Sequence, residues 1–291
     1  MIGKLMVTIA RLVCPDYVDI ARKTNLGQLI TISFSHYNEM ARWCLMEAKV
    51  PFHENSYPPV AHILPSLQAH KSKSIKSKSS VSKASPTSTP VMVLPSGDLL
   101  ADSWSVCNYA AMNSNGKLLP LENEELRALL DNKLGVYVRY CAYYYILNDT
   151  NKERCEAMFL QDSHWLWKAF WMLGGKFLVR GLMIRTFRCA NRDHFLTVRG
   201  KLEALVDQHL DPLVKHRSSK YLSGDQIGVL DIAVASLFAP IVNAPLYAEG
   251  RCYEQLSGME RGDVAMRAEV SFWRQKEVGK YVMHLYETRR L

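Results

Sequence analysis

The chain has 291 residues, 48% of them hydrophobic and 22% charged, which is an ordinary globular composition and excludes a wholly disordered, collagen-like or coiled-coil chain. Its formal net charge is +8, and residues 66–90 supply +5 of this with five lysines and no acidic residue. We therefore assign the basic charge to a solvated loop and predict no nucleic-acid partner. Lysines and arginines interrupt the apolar residues between Trp165 and Phe187, so we predict no membrane-spanning helix.

The first part of the sequence predicts a small unit of alternating strands and helices. Residues 1–26 are predicted to be a poorly ordered extension or an extra helix. The β-branched run 29–33 predicts a strand, and Asp102 has the character of a helix N-cap. In chain order we predict strands at 29–33, 53–57, 90–94 and 99–101, helices at 38–49 and 102–112, and a mobile Ser/Lys-rich insertion at 66–88.

The remaining sequence predicts helices alone. A linker containing Asn, Gly and Pro at 113–120 separates the two parts. The predicted domains are thus an α/β domain at 27–112 and an all-helical domain at 121–291, an α+β fold class. The apolar periodicity predicts helices at 122–147, 153–188, 195–209, 229–242 and 264–290.

The seven cysteines form no C-x-x-C pair and have no zinc-ligand spacing with histidine. We interpret them as reduced, buried thiols of a cytoplasmic protein and predict no metal site. The basic N-terminus, with Lys4 and Arg11 and no acidic residue before Asp16, leaves a mitochondrial address open.

Three stretches together resemble the glutathione transferase superfamily. They are residues 35–43, Thr89–Val93 with Leu100–Ser103, and residues 224–233. The resemblance implies a thioredoxin-like α/β N-terminal domain followed by an all-helical C-terminal domain. It also implies that the third stretch opens a buried helix, with Gly228 as the N-cap and Asp231 at the third helical position.

The resemblance implies that Ser35 activates the thiol of glutathione. A thiolate beside a helix N-terminus is stabilised by the helix dipole, and a serine hydroxyl directed at the sulfur adds a hydrogen bond. Two alternatives stay open at this point. Ser35 caps the helix and does no more, or Ser33 or Tyr37 donates the hydroxyl instead.

The other implied contacts hold the rest of the tripeptide. A cis peptide bond before Pro90 leaves the main chain of Thr89 available to an extended peptide. Asp102 and Ser103 bind the γ-glutamyl end, although the family more often has Glu or Gln in place of Asp102, and the alternative is a simple helix cap. No residue can be assigned to the glycine carboxylate, because the corresponding region is the Ser/Lys-rich insertion.

The expected function is that of a glutathione transferase with reduced glutathione as a substrate and a small hydrophobic electrophile as its partner. Aromatic residues of the helical domain are candidates for the electrophile pocket: Tyr137, Tyr140, Tyr143, Tyr144, Tyr145, Trp165 and Trp167. The family commonly dimerises through the α/β domain, which makes a homodimer an open expectation. The alternative function is a non-enzymatic module that binds a protein or an anionic membrane surface through the basic insertion and the Trp-rich helix. A weak contact of the apolar residues 170–187 with a membrane surface stays open beside the simpler interpretation of core packing.

Overall fold

A four-stranded mixed sheet forms the centre of the first of two units, Met1–Pro120 and Leu121–Leu291. The computed structural model describes residues 14–71, 85–161, 163–250 and 263–290. Residues 1–13 of the predicted extension, residues 72–84 of the predicted insertion, and Cys252 lie outside the described residues.

The strands have the order β2-β1-β3-β4. β1 (Gly27–Thr31) pairs in parallel with β2 (Phe52–Ser56). β3 (Val91–Val93) is antiparallel to both β1 and β4 (Leu99–Leu100). All the residues of β1 are buried, as expected for the strand at the middle of a covered sheet.

Helices cover this sheet. They are α1 (Tyr17–Thr24), α2 (His36–Glu47), α3 (Ile63–Lys71) and α4 (Ser103–Met112). α1 lies in one hydrophobic cluster with residues of β1 and β3, and the hydroxyl groups of Tyr17 and Tyr57 are 2.5 Å apart. α2 packs against α4, where the Cys107 thiol lies 3.7 Å from the carbonyl oxygen of Met40.

The predicted start of the insertion at residue 66 is wrong, because α3 extends to Lys71. Ser66 and Ala69 are buried, and Ala69 joins the cluster formed by α1 and the sheet. The serine content of this region predicts a loop. The small side chains of Ser66 and Ala69 instead let α3 pack closely in the first unit.

The second unit is helical, and an isolated bridge between Tyr221 and Gly224 is the only β pairing in its described residues. π-helical turns lie at Leu130–Leu134, Trp171–Gly175 and Val206–Leu210. In chain order the helices are α5 (Glu124–Leu129), α6 (Gly135–Ile146), α7 (Lys152–Leu160), α8 (Trp165–Phe170), α9 (Lys176–Phe187), α10 (Arg192–Leu205), α11 (Asp211–Lys215), α12 (Val229–Val242), α13 (Val264–Gln275) and α14 (Glu277–Thr288).

Two long predicted helices are interrupted in the structure. The prediction at 153–188 becomes α7, α8 and α9, with Gly174 at a φ of +102° between the last two. The prediction at 264–290 becomes α13 and α14, because Lys276 has an extended conformation. A Cβ atom at Gly279 would lie 2.0 Å from the carbonyl oxygen of Trp273, so the bend requires glycine there.

No helix in the described part of the chain combines the length and the apolar character needed to cross a bilayer.

Candidate functional site

The strand register brings three segments of the first unit, taken from the first two stretches that carry the resemblance, to one end of the sheet. Ile30 near the end of β1 pairs with Val91 at the start of β3, and Met92 pairs with Leu100 at the end of β4. The loop after β1, the residues before β3 and the residues after β4 therefore lie at the same end of the sheet. We call this end the sheet-edge cluster; it contains Ser35, Thr89, Pro90, Asp102 and Ser103.

Ser35 is the N-cap residue of α2, in an extended conformation with φ −81° and ψ 127°. Its main chain begins the helix, since its carbonyl oxygen accepts from the backbone N–H of Glu39 at 2.9 Å. Its side chain makes no capping hydrogen bond. The hydroxyl of Ser35 therefore lies half-buried at a helix N-terminus without the hydrogen bond that a serine cap ordinarily makes.

Thr89 and Pro90 are joined by a cis peptide bond, as the resemblance implies. Within the described residues the main-chain N–H and C=O of Thr89 have no hydrogen-bond partner. Pro90 is buried and Thr89 is half-buried. The role of these residues in ligand binding stays a prediction.

Asn38, which the sequence reasoning did not single out, joins two parts of this cluster. Its Nδ2 donates to the carbonyl oxygen of Ile32 at 2.9 Å and contacts Oγ1 of Thr89 at 3.2 Å. The side chain is fully buried, and its Oδ1 has no hydrogen-bond partner. The loop between β1 and α2 is thereby fixed against the residue that precedes Pro90.

Asp102 caps α4, so the helix-cap alternative describes what its carboxylate does in this structure. Its oxygens accept from the backbone N–H of Ser105 at 2.7 Å and from the Ser105 hydroxyl at 2.9 Å. Each carboxylate oxygen still has a lone pair for a second donor. Ser103 is buried in the first turn of α4, where backbone N–H groups are available to an anion.

Comparison with known proteins identifies the fold. No protein-family model matches the sequence, and no curated protein is significantly similar to it. One glutathione S-transferase of Ceriporiopsis subvermispora, solved in complex with glutathione, is 13% identical and aligns over 91% of this chain and 97% of its own with a TM-score of 0.55. A second from the same organism, also solved with glutathione, is 10% identical over 90% and 98% of the two chains with a TM-score of 0.54.

The chain has the glutathione transferase fold. The predicted α+β class, with a thioredoxin-like domain followed by an all-helical domain, is confirmed. Identities of 10–13% establish the architecture only.

In this glutathione transferase fold, a buried network of charged side chains stabilises the loop that carries Ser35. The guanidinium of Arg42 contacts Glu54 at 2.6 and 2.7 Å and Glu39 at 2.5 Å. It also donates to the Ser33 carbonyl oxygen at 3.4 Å, and the Thr31 hydroxyl donates to Glu54. Arg42 and Glu39 were visible in the motif, but Glu54 was not, because it lies on the neighbouring strand.

His62 lies between β2 and Pro90, in the region where no ligand for the glycine carboxylate could be assigned. Burial lowers the pKa of His62, and the nearby backbone of Pro58 and Thr87 acts in the opposite direction without reversing it. The imidazole is therefore neutral near pH 7. A neutral ring has one N–H to donate and is not a fixed positive charge for a carboxylate.

Burial disfavours the thiolate form at five of the cysteines that the structure describes. Burial raises the pKa of Cys14 to about 11 and that of Cys141, Cys155 and Cys189 to about 12. Burial also raises the pKa of Cys44. No group of three or more potential metal ligands occurs among the residues that the structure describes.

Several of the aromatic residues predicted to line an electrophile pocket are half-buried and contact other rings of the second unit. The ring of Tyr144 stacks on Phe195 at 4.0 Å, and Tyr145 contacts the same ring edge-on at 5.5 Å. Tyr140 and Tyr143 contact Phe187 at 6.1 and 4.7 Å. These rings hold α6 against α9 and α10, which is the structural role that helically spaced aromatic residues usually have.

Proposed function

We propose that the protein is a glutathione transferase that binds reduced glutathione at the sheet-edge cluster and activates its thiol with Ser35. The single observation that carries the proposal is the Ser35 hydroxyl, which stands at the N-terminus of α2 and makes no capping hydrogen bond. The glutathione transferase fold supports it.

The chemistry follows from the position of this hydroxyl. The free thiol has a pKa of about 8.5, and the partial positive charge of the α2 N-terminus together with a hydrogen bond from Ser35 lowers that value. The thiol proton passes to solvent, and the thiolate attacks a small hydrophobic electrophile. A carbon–sulfur bond forms, and the electrons of the bond that breaks leave with the leaving group.

The remainder of the tripeptide is assigned to the other members of the cluster. The unpartnered main chain of Thr89 pairs with the glutathione backbone in the manner of an added strand. Ser103 and the first turn of α4 bind the γ-glutamyl carboxylate. The free lone pairs of Asp102 accept from the γ-glutamyl ammonium.

A variant of Asp102 separates ligand binding from helix capping. Asparagine is as good an N-cap as aspartate, so Asp102→Asn keeps the cap of α4 and removes the negative charge. We expect glutathione affinity, measured by titration calorimetry, to fall by about tenfold, as for a lost charged hydrogen bond. The thermal midpoint stays close to that of the wild type.

Asp98→Asn is the matched control, because this carboxylate lies in the turn between β3 and β4 and contacts Ser96 at 2.9 Å. It is expected to bind glutathione as the wild type does. Undiminished affinity in Asp102→Asn would remove Asp102 from the ligand site.

Three further parts of this proposal rest on the family resemblance alone. They are a cytoplasmic location, a homodimer formed through the first unit, and a role in detoxification. The alternative function, a module that binds without catalysis, is separated from it by turnover: such a module binds glutathione or other partners and conjugates nothing.

A further inference from the structure

Residues 163–192, here called the apolar–basic segment, expose an unusual number of large apolar side chains. They comprise α8, the following π-helical turn, α9 and the start of α10. Leu173 is 89% exposed and Phe177 69% exposed. The other exposed large apolar residues of the segment are Trp165, Leu166, Phe170, Met172, Leu178 and Leu182.

The segment is apolar on its inner face as well. Val179 and Met183 of α9 are buried, while Phe177, Leu178 and Leu182 on the other side of the same helix are exposed. In soluble proteins, the outer face of a surface helix is usually polar. A helix that is apolar on both faces is normally covered on both by the rest of the protein or by a partner. An exposed patch of this kind marks an interaction surface.

The segment is held in a fixed shape, as a docking surface requires. The ring of Phe170 packs where a Cβ atom of Gly175 would lie, at 2.3 Å. Trp171 is buried against Phe159 with ring centroids 5.9 Å apart. Arg180 joins α9 to the end of α6 by donating to the Leu147 carbonyl oxygen at 2.7 Å.

The charges of the segment identify the surface that it fits. It contains six lysines and arginines and no acidic residue. Lys176 and Arg180 pair with Glu156 and Asp149. The remaining four are exposed and have no ion-pair partner among the described residues: Lys168, Arg185, Arg188 and Arg192.

From this juxtaposition of exposed apolar side chains and unpaired positive charges, we propose that the apolar–basic segment docks the protein onto an anionic lipid bilayer surface. The apolar side chains enter the interface, and the long basic side chains extend toward the phospholipid head groups. A second copy of the chain fits less well, because symmetric contact would bring the same positive charges together. The segment lies flat, since no described helix is able to span the bilayer.

Vesicle sedimentation tests the proposal with the full-length protein. We expect binding to vesicles of phosphatidylcholine with phosphatidylserine, little binding to phosphatidylcholine alone, and weakening as salt screens the charges. The double variant Leu173→Ser with Phe177→Ser should bind anionic vesicles at least about tenfold more weakly. The matched control is Met112→Ser with Val264→Ser, whose side chains are 85% and 70% exposed outside the segment.

A charge-reversed pair tests the electrostatic part and does not alter the apolar residues. Lys168→Glu with Arg185→Glu should reduce binding to anionic vesicles to the level seen with phosphatidylcholine. Lys133→Glu with Lys201→Glu makes the same change in net charge at exposed positions outside the segment and should retain binding.

Three results would each overturn the proposal. They are equal binding to the two kinds of vesicle, an equal loss of vesicle binding in the segment variants and their controls, and no binding of the wild type to either vesicle. So would self-association in sedimentation velocity that the Leu173/Phe177 variant abolishes, because the patch would then be a contact between copies. The outcome is independent of glutathione binding, since every substitution in the segment lies in the second unit.

Discussion

At the scale of single residues, the sheet-edge cluster depends on a side chain that does no chemistry. Asn38 connects the carbonyl oxygen of Ile32 to the hydroxyl of Thr89, a residue 51 positions after Asn38 in the sequence. It thereby fixes the distance between the loop that carries Ser35 and the main chain of Thr89. A buried amide with an unsatisfied oxygen is costly, and the two hydrogen bonds of its Nδ2 offset this cost.

Replacing Asn38 tests this positioning role. Asn38→Ala removes the hydrogen bonds to the Ile32 carbonyl oxygen, which keeps the Ser35 N–H as a donor at 3.0 Å, and to the Thr89 hydroxyl, so we expect the free energy of unfolding to fall by about 1–2 kcal/mol. If the proposed function holds, KM for glutathione rises more than kcat falls, because the binding main chain moves. Urea unfolding and steady-state kinetics measure the two effects.

Asn113→Ala is the control, since the Asn113 amide makes a similar bond, to the Tyr109 carbonyl oxygen at 2.7 Å, on the surface. An equal loss of stability in the two variants would show that the hydrogen bonds of Asn38 contribute no more to the free energy of unfolding than the exposed bond of Asn113.

At the scale of elements, α12 shows how a local sequence signal and a distant contact combine. The N-cap residue Gly228 has no side chain that could cap the helix. Asp231 stabilises the N-terminus instead by accepting from the backbone N–H of Gly228 at 2.9 Å. The same carboxylate accepts from the Leu222 N–H at 2.7 Å and from the Tyr281 hydroxyl at 2.5 Å. Burial and the nearby Asp231 raise the pKa of Tyr281, which keeps it a donor.

Asp231→Ala is therefore expected to destabilise the second unit more than the loss of an ordinary cap. Two buried donors and the half-buried Leu222 N–H lose this acceptor, although the Leu222 N–H keeps a contact of 3.3 Å with the Tyr281 hydroxyl. We expect the free energy of unfolding to fall by about 3 kcal/mol. Asp263→Ala removes the cap of α13, a single bond to the Ala265 N–H at 3.1 Å, and should cost about 1 kcal/mol. Similar losses in denaturant unfolding of the two variants would contradict this interpretation.

The loop between β2 and α3 gives the first unit a predictable pH dependence. Burial lowers the pKa of His62 below its ordinary value of 6.5. As pH falls below 6.5 the unfolded chain takes up a proton that the folded chain does not, so the free energy of unfolding falls. This loss continues until pH passes the lowered value.

A variant isolates this contribution from those of the other histidines. The difference in unfolding free energy between the wild type and His62→Asn should be larger at pH 8 than at pH 5. Urea unfolding at a series of pH values measures it, and a difference that stays constant across this range would contradict the assignment.

At the scale of the whole molecule, local signals explain which parts could be predicted. The sequence predicts the helix at 229–242 correctly, because its apolar residues and the spacing of Asp231 from Gly228 are local features. The four strands and α4 were found for the same reason. The fold class followed from the order of these elements and from the resemblance that three short motifs carried.

What could not be predicted depends on contacts between distant residues. The Arg42–Glu54 pair and the Asn38–Thr89 bridge each join separate elements. The bend at Lys276 arises where Gly279 lies against Trp273. α3 continues past residue 66 because Ser66 and Ala69 are buried. Composition alone predicts a loop there, since it does not show that these side chains pack against other elements.

The most direct test of the central claim is the rate of glutathione conjugation to a small aryl halide by Ser35→Ala, with Ser33→Ala and Tyr37→Phe as controls. We predict that kcat/KM of Ser35→Ala falls by about 10- to 100-fold, the value of a hydrogen bond to a charged sulfur, while both controls remain near the wild type. Wild-type turnover in Ser35→Ala, or a larger loss in either control, would contradict the role assigned to the Ser35 hydroxyl.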